Sequence, residues 1–167
     1  MGTGSGAIAI TLKKECPMWQ LIATDISQCA LAVAQENAQR FMCDIDFLLG
    51  DTWEAVRNHC DLDFLISNPP YIAESERAVM DQSVLDFEPH TALFASNQGL
   101  AVYEKIAKKL DHYLKPQGHA FFEIGWQQGD AVFQLFHQYL PQRSISVIPD
   151  LSGNDRIVWI QPEKGGT

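Results

Sequence analysis

Residues 19–51, WQLIATDISQCALAVAQENAQRFMCDIDFLLGD, decide the fold class. Trp19 to Thr24 is a short apolar run that ends at polar Asp25, the pattern of a buried strand. Ala30, Val33, Ala34, Asn37 and Phe41 then recur at helical spacing, and Ser27 stands where a helix N-cap belongs. Ile45 to Leu49 is a second apolar run, closed by Gly50-Asp51. A strand, a helix and a second strand in this order form one unit of a parallel sheet.

The same alternation continues on both sides. Upstream, Gly2-Thr3-Gly4-Ser5-Gly6 lead into Ala7 to Leu12, a short helical segment. Downstream, Phe64 to Ser67 read as a third strand, stopped by Asn68-Pro69-Pro70 because a proline pair cannot continue a central strand. Ile72 to His90 carry many charges and no clean period, so this stretch is expected to be a binding loop. Leu100, Tyr103, Ala107, Leu110 and Leu114 make a helical stripe that Lys115-Pro116-Gln117-Gly118 should stop. His119 to Ile124 are strand-like. Val132, Leu135, Phe136 and Tyr139 predict another helix, ended by Pro141. Ser144–Ile148 and Ile157–Ile160 close the pattern as two strands around a turn at Ser152-Gly153-Asn154, and are therefore antiparallel. The expectation is an α/β fold with a mostly parallel sheet and an antiparallel last strand. Ligands of such sheets bind beyond the carboxyl ends of the strands. Chemistry is thus expected at Asp25, Asp51 and Asn68.

Composition narrows the function classes. With 167 residues, 46% apolar and 20% charged, the chain is read as one globular domain, not a disordered or coiled-coil protein. No run of 18 apolar residues is present, so no membrane-spanning helix is expected. The first residues have neither the basic start nor the long apolar core of a secretion signal. A formal net charge of −9 and a pI near 4.8 argue against a nucleic-acid partner, which needs clustered Lys and Arg to neutralise phosphates. Cys16, Cys29, Cys43 and Cys60 are widely spaced and form no Cys-x-x-Cys pair. They are read as reduced structural thiols of a cytoplasmic protein, with no metal site.

Three motifs follow strands or precede helices. The glycines of Gly2-Thr3-Gly4-Ser5-Gly6 let backbone approach a ligand, and the helix beyond offers oriented N–H groups. The plain alternative is a flexible chain start. Asp25 ends the next strand, where a carboxylate accepts hydrogen bonds from both ribose hydroxyls of a nucleoside; its plain alternative is a charge at the following helix N-terminus. Asn68-Pro69-Pro70-Tyr71 is the most informative. The Asn68 side-chain carbonyl and the Pro69 backbone carbonyl each accept one N–H of a planar –NH₂ group. Tyr71 packs on that group's face and excludes water. The alternative is an Asn-Pro turn with an aromatic plug.

Together these residues resemble class I AdoMet-dependent methyltransferases with an Asn-Pro-Pro-Tyr motif. The finer resemblance is to the N5-glutamine methyltransferases of peptide chain release factors, and it runs over nearly the whole chain. Glu88-Pro89-His90-Thr91-Ala92-Leu93, Gln98-Gly99-Leu100 with Tyr103, Leu114-Lys115-Pro116, Glu123-Ile124-Gly125, and Asp150-Leu151 with Asp155-Arg156 resemble later segments of that family. The resemblance implies a Rossmann-like fold of strand order 3-2-1-4-5-7-6. It also implies that residues 1–167 are a catalytic domain beginning after the family's N-terminal domain and its first, central strand, with the Asp that ends it. Gly2, Thr3, Gly4, Ser5 and Gly6 would cradle the methionine part of S-adenosyl-L-methionine, and Asp25 would hold its ribose. Asp51, Thr52 and Trp53 fall near the adenine, with either Thr52 or Trp53 lining that pocket. Asn68 would touch both methyl donor and acceptor. Asn68, Pro69, Pro70 and Tyr71 would bind the glutamine of a Gly-Gly-Gln motif, with Asn68, Pro69 and Tyr71 in the catalytic roles.

The chemistry expected is direct in-line transfer with no metal and no dedicated base. His90 and Glu88 are read as surface or structural groups. Rival expectations are glutamine methylation of a ribosomal protein, an inactive truncated fragment, and adenine N6 methylation, which shares the –NH₂ acceptor but needs basic surface and base flipping. A nicotinamide dehydrogenase leaves Asn68 to Tyr71 unexplained.

Overall fold

The structure is a computed structural model that describes residues 1–59, 61–73 and 93–163. Cys60, most of the expected binding loop and the Glu88–Ala92 part of its motif lie outside the described residues. The chain forms two compact units, Met1–Cys60 and Asp61–Thr167.

The first unit contains α1 (Ala7–Glu15), β1 (Ile22–Asp25), α2 (Gln28–Arg40), β2 (Asp46–Leu49) and a single 3-10 turn, Thr52–Glu54. β1 and β2 pair in parallel, from Ile22 opposite Asp46 to Asp25 opposite Leu49. Ser27 caps α2 as its position predicts: it is extended, and its Oγ accepts from the Ala30 N–H at 3.2 Å. The buried face of α2 is Leu31, Ala34 and Ala38; of the predicted stripe Ala34 is buried, while Val33 and Phe41 are exposed. Close packing holds Ala34 there. A Cβ added to Gly6 would stand 3.1 Å from the Ala34 Cβ, so this contact admits small residues and turns the larger ones outward. Phe41 instead lies under the Lys14 ammonium, 5.1 Å from the ring centroid. The strand predicted from Trp19 starts later, at Ile22; the Trp19 carbonyl accepts from Lys13 Nζ at 2.7 Å. Cys29 is exposed on α2, so it is no structural thiol, whereas Cys43 is half-buried with its Sγ 3.8 Å from the Ile10 carbonyl.

The second unit contains β3 (Leu62–Ser67), β4 (Ile72–Ala73), β5 (Phe94–Ala95), α3 (Ala101–Tyr113), β6 (Leu114–Glu123), α4 (Gly129–Tyr139), β7 (Arg143–Pro149) and β8 (Asp155–Glu163). Its main sheet has the order β3-β6-β8-β7. β3 and β6 are parallel, and the last strand, β8, is antiparallel to both its neighbours. With β2-β1 in the first unit, these orders are the 3-2 and 4-5-7-6 segments of the arrangement the resemblance implies. Ala120 and Phe122 at the end of β6, and Ile124 just beyond it, alternate as fully buried residues, and Val158 and Ile160 do so on β8. α3 contributes Tyr103, Ile106 and Leu110 to the core, and α4 contributes Val132 and Phe136. Phe122 stacks on Phe136 with centroids 4.6 Å apart and meets Tyr103 edge-on at 6.3 Å.

Lys115-Pro116-Gln117-Gly118 end α3 as predicted, but they are a bulged start of β6 and not a loop. Leu62 pairs with Leu114 and Phe64 with His119, so β6 holds extra residues between these two pairs. The Arg143 guanidinium, 1% exposed, fastens this bulge through the carbonyls of Lys115, Pro116 and Gly118.

Candidate functional site

In the first unit the glycine loop and Asp25 meet directly. Asp25 Oδ2 accepts from the Gly4 N–H and Oδ1 from the Ser27 N–H, both at 2.9 Å. Each oxygen keeps a second lone-pair direction for a further donor. The loop is fixed at three more points. The Thr3 N–H donates to the Thr24 carbonyl at 2.8 Å, the Gly6 N–H to the Thr3 carbonyl at 2.9 Å, and Asn37 Nδ2 to the Ser5 carbonyl at 2.9 Å. Gly4 has φ +55, and a Cβ added there would meet nothing within 4 Å. The first hydrogen bond into α1 is donated by Ile10 to Gly6. The N–H groups of Ala7, Ile8 and Ala9 are therefore the free helix-terminal donors suited to a carboxylate.

Asp25 and Asp51 stand at adjacent strand ends, tied by the Gly50 N–H donating to the Asp25 carbonyl at 3.0 Å. Trp53 is buried, 3% exposed, while Asp51 and Thr52 are half-buried. Thr52 holds φ +48, an uncommon conformation for a β-branched residue. Strain of this kind, on the order of 1–3 kcal/mol, clusters at ligand clamps. An open groove of about 310 Å³ runs from Ser5 and Ala7, at the end of the glycine loop, past Ile10, Lys14, Asn37 and Phe41 between α1 and α2; neither Asp25 nor Asp51 lines it.

In the second unit Asn68 leaves the carboxyl end of β3, exposed, followed by buried Pro69 and half-buried Pro70 and Tyr71. Burial and the nearby Glu123 carboxylate raise the Tyr71 phenol above its ordinary pKa, against a smaller opposing effect of Arg156. Tyr71 is thus a neutral phenol in neutral solution. Burial, then Tyr71 and Glu123, raise Tyr103 further; its OH donates to the Glu123 carbonyl at 2.6 Å. At the same end of the sheet, Asp150 organises the β7–β8 turn. Its Oδ1 accepts from the N–H groups of Ser152 and Asn154, and its Oδ2 from Arg156. The Asn154 N–H most of all holds this carboxyl below its ordinary 3.8. The contribution of Asp150 is present above that value and is lost as the pH falls through the lowered one.

Two residues that the sequence reading did not assign to the site contact the Tyr71 backbone. Gln128 Nε2 donates to the Tyr71 carbonyl at 2.8 Å, and Gly99 lies against the same oxygen. The one local signal was Gln98-Gly99 before a helix; Gln128 has none, because its partner is 57 positions away.

The methyltransferase small domain family model matches residues 1–88. A release factor glutamine methyltransferase of Enterococcus faecalis is 48% identical over 157 residues, covering 94% of this chain and 56% of the relative. The chain thus spans little more than half the length of that relative. Among solved structures, a methyltransferase from Pyrococcus furiosus superposes with a TM-score of 0.72 at 13% identity, over 98% of this chain and 73% of the other. A ribosomal protein L11 methylase from Lactobacillus delbrueckii subsp. bulgaricus gives 0.66 at 19% identity, over 97% and 68%. These likenesses establish the Rossmann-like methyltransferase fold.

Proposed function

The chain belongs to the methyltransferase small domain family, and we propose that it transfers a methyl group from S-adenosyl-L-methionine to the side-chain amide nitrogen of the glutamine in the Gly-Gly-Gln motif of peptide chain release factors. The observation that carries this reading is the 48% identity with a release factor glutamine methyltransferase over nearly all of the chain. The same reading takes residues 1–167 as one catalytic domain of a cytoplasmic enzyme acting on the translation termination machinery.

The donor fits the first unit. Open space beside Gly4, the N-terminal N–H groups of α1 and the spare lone pairs of Asp25 match a carboxylate followed by a ribose diol. Gly2 to Gly6 and Asp25 hold those two parts, with Asp51 and Thr52 beside the adenine; Trp53 supports them from the core. When bound, S-adenosyl-L-methionine supplies a methyl group made electrophilic by its sulfonium.

The amide nitrogen is a weak nucleophile, because its lone pair is delocalised into its own carbonyl. Asn68 and Pro69 accept its two N–H groups and so aim that lone pair. Both bonds strengthen as nitrogen gains positive charge, which favours the transition state over the ground state. Tyr71, a neutral phenol, covers the amide face and keeps water out during transfer. The methylated amide loses its surplus proton to solvent once it leaves the clamp.

Two measurements test this reading. Mixing the protein with S-adenosyl-L-methionine and unmodified release factor should add one methyl to the Gly-Gly-Gln peptide, read by mass spectrometry; an unmodified glutamine counts against it. Asp25→Ala removes the ribose acceptor and the Gly4 tether. Its dissociation constant for S-adenosyl-L-methionine should rise roughly tenfold to a hundredfold, the scale of a charge-assisted hydrogen bond. Unchanged binding by calorimetry refutes the ribose assignment.

A further inference from the structure

Deepening the function proposed above, on which it rests, we infer that Gln128 is a positioning residue that fixes the Tyr71 carbonyl, and through it the acceptor geometry of Asn68 and Pro69. Gln128 immediately precedes α4, yet its side chain does not cap that helix. Its backbone N–H donates to the Gly125 carbonyl at 2.9 Å, and its Oε1 accepts from the Gly125 N–H at 3.1 Å. These two bonds close a turn and fix the side-chain oxygen. The Nε2 end then faces the carbonyls of Tyr71, at 2.8 Å, and Gln98, at 3.4 Å. Carbonyls only accept, so this orientation of the amide is the one that satisfies all its partners. One side chain thereby joins the chain after β3, the turn before α3 and the turn before α4.

The turn before α3 is shaped for the same contact. Asn97, Gln98 and Gly99 have φ values of 56, 55 and 82, three successive left-handed residues. They bring Gly99 so close that an added Cβ would fall on the Tyr71 carbonyl oxygen and stand 2.6 Å from Gln128 Nε2. Two residues therefore meet one carbonyl, which is more than a solvent-exposed turn needs.

That carbonyl lies at the far end of a stiff segment. Ser67 is held in the β3–β6 ladder opposite Phe122. Pro69 and Pro70 have ring-locked φ angles, and each proline biases the residue before it toward extended backbone, so the segment between Ser67 and Tyr71 is stiffer than an ordinary loop. Fixing the Tyr71 carbonyl therefore restrains the direction of the Pro69 carbonyl and the place of Asn68. Misplacing reacting groups by about 1 Å costs on the order of a hundredfold in rate.

The test compares the full chain with two variants. Gln128→Met keeps length and removes every side-chain hydrogen bond. Gln128→Glu keeps the Gly125 contact, and with it the start of α4, but loses the donor to Tyr71. Both should lower kcat for release factor methylation tenfold to a hundredfold, with the dissociation constant for S-adenosyl-L-methionine within about threefold of wild type. Amide hydrogen exchange at Tyr71 and Ile72 should quicken at least tenfold. Wild-type turnover in Gln128→Glu overturns the inference, as does faster exchange with unchanged kcat, which is a merely structural role. A wild-type chain that leaves release factor unmethylated overturns the proposed function itself, and the inference with it.

Discussion

Asn68→Ala should reduce methyl transfer by two to three orders of magnitude and leave the chain folded. The substitution removes the side-chain carbonyl that accepts one N–H of the acceptor amide and leaves the Pro69 carbonyl as the remaining clamp. Loss of one pre-aimed polar group at a site of developing charge costs about 2.7–4 kcal/mol of activation free energy. Little stability should be lost, because Asn68 is exposed beyond the end of β3 and the ladder of that strand closes at Ser67 opposite Phe122. Asn68→Asp separates geometry from charge. It keeps an acceptor in place and adds a negative charge that gains strength as nitrogen becomes positive, so kcat should lie well above that of the alanine variant. The measurement is single-turnover methylation of release factor, with circular dichroism as the folding control. Alanine turnover within a factor of three of wild type removes the clamp from the mechanism.

The elements of this chain were legible where period and punctuation agreed. β3 stops at the proline pair, α2 starts at Ser27, and the two last strands pair antiparallel around Gly153, each because one residue type permits one backbone outcome. The face of α2 was read correctly at Ala34 and wrongly at Val33 and Phe41, because alanines lie on either side of the stripe. The contact at Ala34 comes from Gly6, 28 positions before it, which no local pattern encodes. The candidate site divides the same way. Gly4 and Asp25 were legible as a pair from a familiar spacing, and their 2.9 Å hydrogen bond joins them. Thr52 and Trp53 could not be told apart in the sequence; Trp53 is buried and Thr52 half-buried. Gln128 was invisible, since a side-chain amide reaching across 57 positions leaves no periodic trace.

Arg143→Ala should give the largest loss of stability, about 3 kcal/mol against the 5–15 kcal/mol typical of a domain. The guanidinium is 1% exposed and makes four contacts: Nε to Asp111 Oδ1 at 2.9 Å, and its terminal nitrogens to the carbonyls of Lys115 at 3.0 Å, Gly118 at 3.2 Å and Pro116 at 3.4 Å. The ion pair is the smaller share, since the Asp111 side chain is 43% exposed and water screens it. The larger share comes from the carbonyls, which lose charge-assisted donors inside a bulge whose residues have no register partner in β3. Arg143→Lys should recover less than half of the loss, because one ammonium cannot reach three divergent carbonyls from a single point. The effect extends to function through register. The bulge sets where β6 resumes pairing at His119, β6 in turn holds β3, and Asn68 follows the last paired residue of β3. Urea unfolding of wild type and both variants measures the difference. A loss below about 1 kcal/mol for alanine means that water replaces the guanidinium at the bulge, and the register argument then fails with it.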